Sequence, residues 1–580
     1  MIPPIRPVGL KMAMTALLLG SLFGCRAKEP ADLVLRGARV ATVDAEFSFR
    51  EAVAVRDDVV VYAGDRGGLA PFIGPQTRVI DLRGGLVLPG LVDAHAHMSS
   101  YGLELAHLDI TGTRSFGEII GRVAERVRAA KPGEWITGGR WDQNDWADTA
   151  FPVHDALSAV SPRNPVYLKR VDGNAAVANA AALRTAGITR ASPDPAGGVI
   201  RRKANGEPTG VLINRAMDIV EAVMPKDDPE AYEKKLLAAI DRAASFGLTG
   251  WHEAGVTPSE IAIYKSLLAR GALKLRCYAM LGDERNPEFS GDLAAWFRAN
   301  RLEDDPRHML AVRCVKLFFD GALGSRGAAF YEPYADDPGN RGLLRVSPEY
   351  IEKAARAALQ TDMQVATHCI GIRGNRLALE AYERALRDNP GRDHRFRIEH
   401  AQFVEQRDVA KFAELGVLPS MQPTHATSDM RFVETRLGPG RARGGYAWRD
   451  FRKAGLSIPC GSDFPVESPN PLLGIYAAVT RMDLDGRPEG GWHPEQKLTI
   501  QEAVRGFTIW AAEASFREGV LGSVEVGKLA DFTVLDKDII ALPTRDIPAA
   551  RVLYTIVGGR IIYERGPRPQ PGRDAPPERR

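Results

Sequence analysis

Residues 85–98, GLVLPGLVDAHAHM, constrain this chain more than any other stretch, because an apolar run ends in two imidazoles one residue apart. Successive side chains alternate faces along a strand, so His95 and His97 point the same way and can hold one metal ion. The run 86–94 carries no charge except Asp93, and it is predicted to form one buried parallel strand. Further ligands are then expected at the ends of later strands.

A buried strand that ends in metal-binding groups is similar to the first strand of a (β/α)8 barrel, whose chemistry gathers at strand C-termini. Four later segments extend the pattern. In 315–324, VKLFFDGALG, Lys316 sits inside an apolar strand, where a charged ammonium is costly unless paired or neutralised. Burial lowers a lysine pKa, and a neutral amine can take up carbon dioxide as a carbamate, an anionic oxygen ligand. Pairing of Lys316 with a carboxylate such as Asp320 is the other reading, and the strand alone leaves both open. Two more strands end in histidine, QVATHCIG at His368 and FRIEHAQ at His400. Finally, SIPCGSDFP offers Asp463, which could ligate a metal and also exchange a proton with bound water.

At this point the chain resembles the amidohydrolase superfamily of metal-dependent hydrolases, over nearly all of its length after the leader. The ordered set His95-x-His97, Lys316, His368, His400, Asp463 matches that superfamily's ligand pattern. The stretches "VKLFFDGALGSR", "RIEHAQFV", "SMQPTHATSD", "GSDFPVESPNPL" and "GSVEVGKLADFTVLD" look like the branch that includes N-substituted formamide deformylases. The resemblance implies that His95, His97 and Asp463 hold one divalent metal and that His368 and His400 hold a second, bridged by N6-carboxylated Lys316. Zinc suits the imidazole-rich set, with one or two ions bound. The implied reaction is hydrolysis of an amide-like C–N bond in a small molecule by metal-activated water, with Asp463 carrying the proton. An esterase, lactonase or carbamate hydrolase on the same site is the alternative. A ligand-binding lipoprotein without turnover ranks behind both. A serine hydrolase is disfavoured because Gly-x-Ser-x-Gly is absent.

Charge narrows the partners. Lys plus Arg at 76 against Asp plus Glu at 73 leaves a net +3 over 580 residues, giving no electrostatic case for nucleic acid. A homodimer stays open. At the N-terminus, Arg6 and Lys11 precede a short apolar run that ends in Leu22-Phe23-Gly24-Cys25, which resembles a bacterial lipoprotein signal. Cys25 is the expected lipidation site, and the chain is expected to be exported to the periplasm or cell envelope, with membrane contact through the acyl anchor alone. The other cysteines, Cys277, Cys314, Cys369 and Cys460, read as small buried residues of barrel strands.

The expected fold class is α/β: a (β/α)8 TIM-like metallo-hydrolase barrel with a discontinuous small β-sandwich domain and an inserted cap. Residues 1–25 form the leader, 31–88 and 518–565 the β-sandwich, 89–517 the barrel with a cap over about 99–235, and 566–580 a disordered tail. The cap is inferred because the next candidate strand, at Leu248, lies far beyond the reach of a short βα connection. Within it, 115–130 has amphipathic helical spacing, and Trp135, Trp141 and Trp146 are candidates for a substrate entrance. The segment YLKRVDGNA resembles a cap motif of this branch, with Asn174 where relatives commonly carry histidine. Substrate contacts are therefore assigned to Trp141, Asp172, Asn174, His252 and His425.

Overall fold

The computed structural model describes residues 29–170, 175–195, 197–225, 228–282 and 291–566, without the side chain of Asn144. Cys25, Asp172 and Asn174 lie outside the described residues. Seven parallel strands form the barrel in sequential order: Leu91–Ala96, Leu248–Val256, Arg276–Leu281, Leu310–Phe318, Gln364–Cys369, Arg397–His400 and Leu418–Ser420. The eighth position is filled by an irregular segment. Its backbone bonds the seventh strand's end through Met421 N–H to Pro459 O at 2.9 Å, and the first strand through Ala94 N–H to Cys460 O at 3.0 Å. Asp463 N–H continues that seam to His95 O at 2.8 Å. The expected eight-fold barrel is thus closed with its last strand reduced to a hydrogen-bonded loop.

The run 86–94 is not one strand. Leu86–Pro89 belongs to the small β domain, where it pairs with Phe532–Leu535 and Leu33–Ala41, and only Leu91–Ala96 enters the barrel. Gly90 makes the crossing, and a Cβ there would meet the Thr249 Oγ1 at 2.2 Å. A residue without a side chain leaves room there for Thr249, which packs against the backbone where the chain changes sheets. The strands of the small domain are linked by hydrogen bonds into one eight-stranded sheet that unites strands from both ends of the chain. Leu35, Val55, Val87, Phe532, Val534 and Ile556, drawn from both arms of that sheet, share one core.

The cap has its own six-stranded sheet, from Leu108–Asp109 through Pro208–Asn214. Helix Phe116–Ala129 forms where the spacing predicts it, started by Ser115 accepting from Glu118 N–H. The expected cap boundary near 235 falls within a helix. Helix Pro229–Ser245 turns Leu236, Ala239, Ile240 and Ala243 into the main core, so it belongs to the barrel's outer layer. It packs on helix Met98–Ala106, where a Cβ on Gly102 would meet Lys235 O at 2.7 Å.

Trp141 does not line an entrance. It is fully buried, donates its indole N–H to Leu168 O at 2.8 Å and stacks on Trp146 at 5.8 Å inside the cap core. Indoles bury large area once their N–H is satisfied, and here packing takes both rings. Trp141→Ala is expected to cost about 3–5 kcal/mol of stability, read as a lowered thermal midpoint. An unchanged midpoint with a raised KM would return Trp141 to the substrate path. The four remaining cysteines are buried and free. Among the described residues no helix is long and apolar enough to cross a membrane.

Candidate metal centre

All six predicted ligands line one cavity of about 370 Å³ at the C-terminal rim of the barrel. His95 lies next to the end of the first strand and His97 just beyond it, Lys316 and His368 come from the fourth and fifth strands, and His400 ends the sixth. Asp463 arrives on the loop that closes the barrel. The ligand atoms of His95, His400 and Asp463 lie within 4.8 Å of one another. His97 Nε2 is 3.1 Å and His95 Nε2 3.5 Å from Asp463 Oδ1, while the His368 and His400 rings are 4.5 Å apart. Residues that the resemblance assigns to different ions therefore sit within one tight cluster.

Two of these side chains reach the cavity only through unusual backbone. His400 has φ +70° and Asp463 φ +61°, a region costly for residues with a Cβ. Alternation along the sixth strand places Arg397 and Glu399 inside the barrel and would turn His400 away. The left-handed twist at His400 swings its ring back to the rim.

The imidazoles are oriented from behind. His95 Nδ1 lies 2.5 Å from Glu399 Oε2, and His400 Nδ1 lies 2.7 Å from Gln422 Oε1. Each contact makes Nδ1 the protonated nitrogen and leaves Nε2 as the lone-pair donor. The Nε2 atoms of His95 and His368 are buried without a hydrogen-bond partner. Buried nitrogens left this way, grouped around a carboxylate, fit a divalent metal.

Electrostatics favour the same state. Burial, with the Lys316 charge next, lowers the His95 pKa to about 4 and the His368 pKa to about 3, and burial beside other imidazoles puts His400 well below its ordinary value. Burial alone would raise Asp463, but the facing imidazoles hold it well below the usual carboxylate range. Three neutral rings and an ionised carboxylate are thus ready at neutral pH. These folded-state histidine values lie below the unfolded one, so their stabilisation is complete above about pH 6.5 and lost as pH falls through them. Zinc affinity is accordingly expected to fall no more than about tenfold between about pH 7.5 and 5.5, against about a thousandfold if the three rings titrated as free imidazoles. Competition titration with a chelating dye at the two pH values reads this.

Asp320 is occupied by backbone donors. Its buried carboxylate accepts from the backbone N–H groups of Ala329, Ile370 and Gly371 at 2.8–2.9 Å, which knits the loops after the fourth and fifth strands. The Lys316 Nζ lies 4.1 Å from the Phe318 ring centroid, at the cavity wall.

His252 is displaced from its expected place. It is buried inside the barrel, its Nδ1 2.9 Å from Arg397 Nη1, and it does not line the cavity. His425 does line it, with Nε2 3.7 Å from Asp463 Oδ2 and Nδ1 facing the Gln402 amide at 3.3 Å. Sequence reasoning missed Arg397, Glu399, Gln422, Gln402, Asp429 and Glu467. The signal for Glu399 was present: an Arg-x-Glu pair inside an apolar strand has no inexpensive explanation except mutual neutralisation.

A parallel barrel whose rim gathers imidazoles around the Asp463 carboxylate in a buried cavity defines a metal-dependent hydrolase. Residues 78–563 match the amidohydrolase family. The chain is 34% identical over 552 residues to Protein LONG AFTER FAR-RED 3 of Arabidopsis thaliana, covering 92% of each. It is 28% identical over 541 residues to the N-substituted formamide deformylase of Arthrobacter pascens, covering 92% of this chain and 98% of that one. A crystal structure of an uncharacterized metal-dependent hydrolase from Pyrococcus furiosus superposes with a TM-score of 0.71 at 25% identity, covering 88% of this chain and 99% of that one. This chain belongs to the amidohydrolase family.

Proposed function

We propose that the protein hydrolyses an amide-like C–N bond in a small molecule, and that Asp463 moves the proton from attacking water to the departing nitrogen. The observation that carries this reading is the position of Asp463, whose oxygens lie 3.1 Å from His97 Nε2 and 3.7 Å from His425 Nε2 in the ligand-lined cavity. A carboxylate already ionised by its neighbours can accept a proton and, held by the closing loop, give it up on the other side of the scissile bond. The name of the Arthrobacter relative supports the C–N choice.

His95, His97 and Asp463 would hold one divalent ion, and His368 and His400 a second, with Lys316 carboxylated between them. Zinc is the metal that the imidazole set favours. A metal bound there supplies an acidified water and a Lewis acid for the carbonyl. Glu399 and Gln422 keep the ring nitrogens aimed. Gln402 presents the His425 ring so that its Nε2 faces the carboxylate, where its N–H can donate to a carbonyl oxygen. Phe318, Leu323, Ile370 and Phe432 give the cavity apolar walls that limit stray water. The resemblance of the apolar run before Cys25 to a lipoprotein signal supports a cell-envelope location for the same reading.

The test is metal analysis of purified protein, with a panel of formamides, longer N-acyl amines, carbamates and esters assayed before and after chelation. Amide or formamide turnover that chelation abolishes and added zinc restores is expected. Turnover that ignores chelation, or that is confined to esters, sinks the proposal.

A further inference from the structure

Two carboxylates in the cavity wall have no part in holding metal or moving the proton. Asp429 and Glu467 line the same 370 Å³ space as the ligands, on helix Pro423–Leu437 and the loop after Asp463. Each is fixed by a hydroxyl on one oxygen: Tyr446 donates to Asp429 Oδ2 at 2.5 Å, and Ser428 donates to Glu467 Oε1. Tyr446 is itself held by its backbone, whose carbonyl accepts from the buried Arg481 guanidinium at 3.0 Å. Arg431, two residues beyond Asp429, acts on it through space without pairing. Burial pushes the Asp429 carboxyl up, against His425 and Tyr446, and the Glu467 charge adds to the rise. Two neighbouring carboxylates held this firmly, with no ion pair to either among the described residues, cost free energy that a cation in the cavity would offset.

Beside them the wall carries unused polar atoms. Gln402 is 3% exposed and His425 8% exposed, and Gln402 Oε1 and His425 Nε2 are both buried without hydrogen-bond partners. Gln402 Oε1 is a third acceptor, so the wall presents two carboxylate groups and a carbonyl to any N–H group placed among them. The rest of the lining, Phe318, Leu323, Ile370, Phe432 and Val466, is apolar.

We infer that the substrate carries a cationic nitrogen group, an ammonium or amidinium, seated between Asp429 and Glu467 while its apolar body lies along Phe318 and Phe432. This rests on the amide-hydrolase reading for its kinetic test and is independent of it for binding. The pair sets specificity by charge: a neutral isostere loses the ionic hydrogen bonds, and a carboxylate in the same place meets repulsion.

Three formamides of equal length, ending in ammonium, methyl or carboxylate, test the assignment by the ratio of their kcat/KM values on the zinc-loaded enzyme. The ammonium compound is expected to lead the methyl one by at least about tenfold, the effect of one charge-assisted hydrogen bond, with the carboxylate compound last. Asp429→Asn with Glu467→Gln, which keeps shape, should bring the first ratio to near unity. Equal rates in the wild type, or a preference that survives the double variant, overturn the inference. If none of the three formamides is cleaved, calorimetry decides the inference: hexylammonium should bind the zinc-loaded protein more tightly than hexanol, and the double variant should erase the difference. Equal binding of the two probes overturns the inference. A single substitution at each position, checked by circular dichroism, separates a folding defect from lost recognition.

Discussion

Asp463→Asn lowers kcat/KM by about a thousandfold or more, the scale of losing a positioned acid–base group. The side chain keeps its size and loses its charge, so it can neither take a proton nor balance the imidazoles around it. The loop that carries it is held independently: Ser462 donates both its N–H and its Oγ–H to the buried Asp93 carboxylate, and Asp463 N–H bonds His95 O at 2.8 Å. A folded but inactive enzyme is therefore the expected product. Metal content must be measured on the same sample, because Asp463 is also a proposed ligand. Full zinc occupancy with lost turnover assigns the proton role, whereas wild-type kcat in the variant excludes it.

Glu399→Gln is expected to destabilise the fold by about 3–5 kcal/mol and to weaken metal binding by about 10–100-fold. Arg397 and Glu399 are fully buried in the barrel beneath the ligands. Arg397 donates Nε–H to Glu399 Oε1 at 2.6 Å and Nη2–H to Ala94 O at 2.6 Å and Ser420 Oγ at 2.8 Å, while the other Glu399 oxygen holds His95. Burial alone would raise the Glu399 pKa, but Arg397 and His95 drive it far below the usual carboxylate range. Its stabilisation is then present above about pH 4.3, the unfolded value, and lost only as pH falls towards the depressed folded one. Removing the charge leaves a guanidinium uncompensated in the core and frees the His95 ring. The urea midpoint of the metal-free protein reads the first effect, and zinc competition reads the second. Replacing the pair together, by Met at Arg397 and Leu at Glu399, should recover much of the stability without restoring zinc affinity. Recovery of both would show that the pair only fills space.

The identities and order of the six predicted ligands were legible in the sequence because each is a polar side chain in or just beyond an apolar, strand-like run, a placement with few structural uses. The amphipathic helix Phe116–Ala129 and the β strands near both chain ends were legible for a similar reason: their periodicity is local. Trp141 and His252 misled because composition names a side chain that could meet substrate, while only packing decides whether it does. Asp172 and Asn174 stay as sequence expectations.

By itself, then, the sequence nominated the groups suited to metal from residue type and short-range spacing, and a barrel as their frame from resemblance. Tertiary structure alone decided which nitrogen of each ring faces the cavity, that Leu86–Pro89 leaves the barrel, and that Arg397, Glu399, Asp429 and Glu467 surround the site. Those facts depend on partners distant in the chain, such as His95 and Glu399, 304 residues apart. Hydrogen bonding and burial act through distances in space, and local spacing carries no record of them.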